Sequence, residues 1–368
     1  MSRSSGCAGP VGPPGVRTCA RTPSANRRRP LQGTLIRQGC DPVLQASVII
    51  CAHNPRSDYF ARVLASLRSQ TFPHNKWELL IIDNASKVPL ARHWHISWHP
   101  MVRHIVENEI AVAAARRRGM REARADLIVF VDDDNVLDKT YLTQAVGIGR
   151  DWPSLGAWGS GSIQADFEVK PSESLMEFLP YLALRETASP QWSNVASCWQ
   201  AMPWGAGLCV RKAVAVAYCQ SCERSSIQIT GRAGISLLSG EDKEIALVCC
   251  TQGSAFGIFP ELKITHLIPR HRVSEDYIVR LVEGTKLSDL LLDYKWLNII
   301  PDSPRCVRVL LSVLKTLLLH SGVDRRMRFA SVRALAKANR IIDTDLKKKK
   351  AITCCSRSIR KARHASPR

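Results

Sequence analysis

Between residues 46 and 135 one pattern repeats: an apolar run that stops on a polar cluster. "ASVIICAHNP" begins at 46, "WELLIIDNAS" at 77, "VRHIVENE" at 102 and "ADLIVFVDDDN" at 125. Stretches of helical spacing lie between them. In "YFARVLASLRSQTF", Phe60, Val63, Leu64 and Leu67 fall on one face of a helix. "AVAAARRRGMREAR" is a second helix, rich in Ala and Arg. Near-continuous apolar strands that alternate with helices demand a parallel sheet covered on both faces. The expected fold class is therefore α/β. In such sheets ligands bind beyond the carboxyl ends of the strands. The polar clusters at 53–54, 83–84 and 132–135 all fall at those ends.

The last of these clusters is the most demanding. Asp132, Asp133 and Asp134 repel one another, so the triplet must face water or a cation. Carboxylates one residue apart at a strand end can share a hard cation, Mg²⁺ or Mn²⁺, whose shell is completed by waters and substrate phosphates. The same triplet also fits a solvated turn capping a helix from Asp138 to Gly149. A second acidic pair, Glu241 and Asp242 in "SGEDKE", opens another helix. It fits either N-terminal capping or a general base. His266 ends the strand "LKIT" and can complete a cation shell with Asp134, or simply pack. Arg270 and Arg272 follow, at the right place for a diphosphate or for a solvated loop. Of Arg116, Arg117 and Arg118, at most two can reach one site, because successive helical residues point 100° apart.

Downstream, 152–210 is rich in Trp and Gly, with rings at 192–204 suited to stacking on a sugar or to core packing. In "PWGAG", Gly205 and Gly207 allow close backbone approach to a ligand, or tight packing. "SAFGIFPELKITHLIPRHR" reads as a short strand pair. The pattern from 274 to 345 is helical, and "VLLSVLKTLLLH" at 309–320 reads as a packed helix, too short to span a membrane.

The net charge of +20 first suggests a nucleic-acid binder, but its distribution argues otherwise. Residues 1–40 hold seven arginines and 346–368 hold nine basic residues, both without an acid, which leaves the middle 36 basic against 32 acidic residues. No specific nucleic-acid partner is expected. The tails offer peripheral contact to an anionic membrane. Residues 1–44 read as a disordered arm and 346–368 as a disordered tail. The 1–40 stretch has no apolar h-region, so it is not a secretory signal; an organelle transit peptide is the other reading of such a leader. The cysteines in apolar segments suit reduced thiols in a cytoplasmic protein, and the Cys219–Cys222 pair lacks a partner pair for zinc.

These pieces, in this order, resemble family 2 glycosyltransferases of the GT-A fold. "SVIICAHN" looks like the first nucleotide-binding strand and "LLIIDNAS" like the second, with its base-contacting Asp83. "FVDDDN" is similar to the DXD metal motif, "GAGLCVRK" to the acceptor-side segment, "GEDKEIAL" to the catalytic acidic motif and "PELKITHLIP" to the late strand ending in His. The likeness covers about 46–285. It departs in "ENEIAVAAARRRG", where Arg116 and Gly119 fit the family segment but Arg117 and Ala111 replace its Asn and Gly. Cys51 and Ala52 replace the first strand's Pro and Thr. There is no QxxRW of a processive synthase.

The resemblance implies a GT-A Rossmann-like mixed sheet over 45–273, followed by a helical extension over 274–345. It implies an inverting, hexosyltransferase-type enzyme that takes a UDP- or GDP-sugar with Mn or Mg. The acceptor would be a hydroxyl on a glycan or a lipid-linked or cell-surface polysaccharide precursor. Asp242 would be the base, with Glu241 beside it. Ala52, His53, Asn54, Asp83, Arg116, Asp132, Asp133 and Arg272 would hold the nucleotide sugar. Asp134, Asp132 and His266 would hold the cation, and Trp204, Gly205 and Gly207 would lie on the acceptor side. The expected location is the cytoplasm, with peripheral contact at the inner membrane face. Two other classes fit parts of the chain. A haloacid-dehalogenase-like phosphatase would use Asp132 of "FVDDDNV" as nucleophile, but its motif opens its domain. A non-catalytic sugar-nucleotide-binding protein would have no need of Asp242.

Overall fold

The computed structural model describes residues 43–232, 237–302 and 322–364. Strands β1 (Ala46–Ala52), β2 (Trp77–Asp83), β3 (Val102–Val106) and β4 (Leu127–Asp132) form the parallel half of one mixed sheet, in the order β3-β2-β1-β4. The apolar runs are buried on both faces, as their unbroken hydrophobicity requires. Helices α1 (Ser57–Arg68) and α3 (Val112–Glu122) cross between strands. Phe60, Val63, Leu64 and Leu67 are all buried, in the core that also holds Val48 and Ile50 of β1. The other face of β1 presents Ile49, which packs with Ala115 and Met120 of α3. A Cβ at Gly119 would lie 2.6 Å from Ile49 Cγ2, so only glycine lets α3 lie this close to the sheet.

After β4 the sheet turns mixed. Strand β9 (Cys209–Arg211) is antiparallel to both β4 and the long β6 (Leu155–Phe167), and β10 (Ala255–Ile268) runs parallel to β6. A short β5 (Asn135–Leu137) returns antiparallel to β10, pairing Asn135 with His266. Two short strands, β7 (Arg185–Glu186) and β8 (Gln191–Ser193), add to β6 and β10. The remaining helices are α2 (Leu90–His93), α4 (Tyr141–Asp151), α5 (Lys212–Arg224), α6 (Glu241–Thr251), α7 (Glu275–Leu297) and α8 (Gly322–His364). The architecture is the expected α/β mixed sheet flanked by helices, with helices at the C-terminal end. No described helix is long and apolar enough to cross a membrane.

Two expectations need correction. The segment 254–272 holds one 14-residue strand, not a pair. A register shift between Phe259 and Lys263 bends it at Pro260, whose ring nitrogen has no hydrogen to donate, and both halves then pair with β6 instead of with each other. The basic stretch after 345 is not a tail that begins there, since α8 runs through it to His364. Residues 1–42 and the 309–320 helix expectation lie outside the described residues.

Candidate active site

The β1–β2 register sets Ala52 beside Asp83, and the β1–β4 register sets Cys51 beside Asp132. The polar clusters therefore share one sheet edge. Next to it lies a cavity of about 360 Å³, within the range of small-molecule sites. The aspartate triplet, Arg116, Trp204, Gly205, Glu241, Asp242, His266 and Arg272 all line it. Residues more than a hundred positions apart in the chain meet there.

The floor is an ion-paired bridge. Arg116 is buried and donates from Nη2 to Asp132 at 3.0 Å and from Nη1 to Glu241 at 2.8 Å. Burial penalises its charge, but Asp132, Glu241 and Asp242 more than offset this and raise its pKa. Burial also raises the Glu241 pKa, against the pull of Arg116. The second Glu241 oxygen accepts from the Gly240 N–H at 3.2 Å. Asp242 is placed differently. Its Oδ2 accepts from the Gly205 N–H at 2.7 Å and its Oδ1 from the Lys243 N–H at 2.8 Å. Two backbone amides orient this carboxylate, and no arginine neutralises it among the described ion pairs. A Cβ on Gly205 would lie 2.3 Å from Arg116 Nη2, so this glycine allows the loop to close on the guanidinium.

On the other side, Asp134 Oδ2 accepts from Arg272 at 2.7 Å and lies 3.5 Å from His266 Nε2. Nδ1 of His266 is 3.0 Å from the Leu182 carbonyl. A donated Nδ1–H there leaves the Nε2 lone pair facing Asp134, the usual arrangement of a metal-binding imidazole. Burial pushes the Asp134 carboxyl up, yet Arg272 and His266 outweigh it and hold the group below the usual carboxylate range. Asp133 goes the other way. Burial first, then Asp134 and Asp132, raise its pKa. These residue types suit a hard cation at Asp134 and His266. Asp132 gives its Oδ1 to Arg116. Among the described residues no three His, Cys, Asp or Glu side chains form a ready ligand set.

Other expected residues have different occupations. Asp83 is buried and accepts from Ser86 N and Leu90 N, both at 2.9 Å, so its carboxylate shapes the loop after β2. His53 Nδ1 lies 2.6 Å from the Asn84 carbonyl. Asn54, at φ 48°, accepts from Lys87 N and takes Ser86 Oγ as acceptor for its own N–H. These residues and Ala52 stand on the shared edge but do not line the cavity. Gly207 does not line it either. At φ +71° it packs on Tyr141, whose hydroxyl donates to the Gly207 carbonyl at 2.6 Å. Trp204 lines the cavity with Arg185 stacked 3.5 Å over its ring. Trp192 is exposed and stands against Trp152.

Sequence reading overlooked Arg232, Lys243 and the α7 residues Leu281 and Thr285, all of which line the cavity. Lys243 sat in plain view inside "SGEDKE". Arg232 lies in no periodic stretch, so nothing local marked it. The expected boundary at 273 also cuts through the site, since α7 forms part of its wall.

A profile of the family described as "Glycosyl transferase family 2" matches residues 47–186. Glycosyltransferase AglE of Haloferax volcanii is 27% identical over 103 residues, 27% of this chain and 34% of that protein, so the chain spans about a third of this relative. Among solved structures, TarS of S. aureus aligns with a TM-score of 0.44 at 12% identity, over 75% of this chain and 43% of that one. The mannosyltransferase PcManGT from Pyrobaculum calidifontis, solved with GDP-Man and Mn²⁺, aligns with a TM-score of 0.47 at 16% identity, over 87% and 81%. The matched residues 47–186 run from β1 to β7 and include the triple aspartate, so the likeness to glycosyl transferase family 2 covers the parallel half of the sheet and the strand end that lines the cavity.

Proposed function

We propose that the protein is an inverting glycosyltransferase that moves a sugar from a nucleoside-diphosphate sugar to an acceptor hydroxyl. One observation carries this reading: the Asp132–Asp134 strand end, inside the segment that matches the family 2 profile, lines the same cavity as Asp242. Asp242 takes the proton of the acceptor hydroxyl. The freed oxygen attacks C1 of the sugar, and the C1–O bond to the diphosphate breaks with its electron pair on the leaving group. The configuration inverts and no covalent enzyme intermediate is required. Asp242 suits the base role better than Glu241. Both carboxylates accept two hydrogen bonds, but those of Asp242 come from backbone amides that leave its charge unneutralised, whereas the buried Glu241 is ion-paired with Arg116.

Asp134 and His266 would hold a divalent cation, Mn or Mg, which supplies positive charge to the departing diphosphate. Arg272, and Arg232 across the same cavity, add fixed positive charge for that diphosphate. Trp204 and Gly205 face the acceptor, which we take to be a glycan or lipid-linked hydroxyl. The nucleoside end of a UDP- or GDP-sugar extends along the edge toward His53, Asn54 and Asp83. The test is a thermal-shift panel of nucleotide sugars with Mn²⁺, followed by an assay for nucleoside diphosphate release. A donor at a hundredfold excess over its dissociation constant adds about 2.7 kcal/mol of apparent stability. Phosphate release from phosphomonoesters, without turnover of any nucleotide sugar, would refute the proposal in favour of a phosphatase.

A further inference from the structure

The guanidinium of Arg272 stands where the cation would bind. It donates to Asp134 Oδ2 at 2.7 Å and, from the same Nη1, meets His266 Nε2 at 3.2 Å. Those are the two lone-pair atoms suited to a divalent ion, and they lie 3.5 Å apart. Neither can easily turn elsewhere. The Leu182 carbonyl fixes the other ring nitrogen of His266, and the Asn135 amide donates to Asp134 Oδ1 at 3.0 Å. Both side chains are largely buried, as is that of Arg272. A dication and a guanidinium at the same pair of atoms repel each other strongly, so only one can hold them at a time.

We infer that Arg272 is a positioning residue that occupies the cation ligands until a donor diphosphate arrives, so that metal and nucleotide bind as a pair. This rests on the glycosyltransferase reading above. Metal alone must strip a buried carboxylate from its arginine. Metal accompanied by a diphosphate meets a smaller barrier, because phosphate oxygens in the same cavity give the displaced guanidinium a bidentate, charge-assisted partner. Arg272 lies in the single helical turn 270–273 after β10, which brings it back over its own strand end. A purely structural salt bridge would behave differently. Its removal would weaken the fold and leave metal affinity unimproved.

The experiment is a Mn²⁺ titration of the whole chain, read from the spin-resonance signal of the free ion, alone and with UDP or GDP. Asp134→Asn serves as the blank. The wild type should bind Mn²⁺ weakly alone and about 10- to 100-fold more tightly with UDP or GDP, with the nucleotide tightened reciprocally by Mn²⁺. Arg272→Gln should bind Mn²⁺ alone about tenfold more tightly than the wild type, with much of the nucleotide effect gone. Arg272→Lys, which keeps a point charge but loses the bidentate partner for phosphate, should fall between them, and it substitutes if the Gln variant does not fold. Nucleotide-dependent Mn²⁺ binding in the wild type, with no gain for either variant in metal alone, overturns the role of Arg272 and leaves the metal reading standing. Absence of Mn²⁺ binding under every condition overturns both.

Discussion

Arg116→Met tests the floor of the site. The guanidinium is 3% exposed and holds Asp132 at 3.0 Å and Glu241 at 2.8 Å. Its two partners differ in what they lose. The Asp132 side chain is 36% exposed and regains water, so its half of the bridge counts for little. Glu241 is 8% exposed and keeps only the Gly240 N–H. Removing one partner of a buried pair costs about 3–5 kcal/mol. With an unfolding entropy of roughly 2.1 cal/mol/K per residue over roughly 300 residues, that lowers the melting temperature by about 5–8 °C.

The pH dependence has a definite sign. Burial already raises the Glu241 pKa and Arg116 opposes it, so losing Arg116 raises it further. An acid whose folded pKa exceeds its unfolded value favours the folded state most when protonated. Stability is therefore greatest below the unfolded pKa of about 4.3 and falls as pH rises toward the folded value, by about 1.4 kcal/mol for each pH unit crossed between the two. The deficit of the variant should be small near about pH 5 and large near about pH 8. Adding Glu241→Gln should recover at least half of it, because the stranded charge is gone. Thermal denaturation of the two single variants and the double variant at both pH values completes the cycle. A pH-independent loss, or no recovery in the double variant, would refute the argument.

Asp242→Asn should lower turnover by about 10²–10⁴-fold while nucleotide affinity holds, whereas a helix cap alone would tolerate Asn; calorimetric titration beside a transfer assay decides. Glu241→Gln, run in parallel, should retain far more activity, and the reverse pattern would move the base one residue back. Asp134→Asn, or chelation of divalent metal, should abolish transfer, and full turnover in the presence of EDTA would exclude metal dependence. Gly207→Ala should cost about 2–5 kcal/mol in chemical denaturation, because the new Cβ would lie 2.1 Å from the Tyr141 hydroxyl at a φ that L residues resist. A chain beginning at Gln45 should keep its melting temperature, while a chain ending before α8 should lose it, since Met327, Ala330, Ala334, Ala338 and Ile342 of that helix are buried.

Local pattern was enough to place the first half of the molecule. An apolar run with no polar break must be a strand buried on both faces, and a helical stretch between two such runs makes them parallel. Alignment of the polar clusters at one edge follows, and with it the Asp132–Asp134 strand end and the Glu241–Asp242 helix start. The same reasoning could not separate residues of one type in several environments. Asp83 and Asp242 both stand at element ends and both accept from two backbone amides, but only Asp242 lines the cavity. Gly205 and Gly207 are two residues apart, yet one closes on Arg116 and the other on Tyr141. Glu241 and Asp242 are adjacent, and only the tertiary structure brings Arg116, 125 positions away, to one and not the other. Periodicity is a property of neighbours in the chain and so is legible in the sequence. Which charge is neutralised, which lone pair is free and which wall α7 supplies depend on contacts between distant segments, and those exist only once the sheet has brought the segments together.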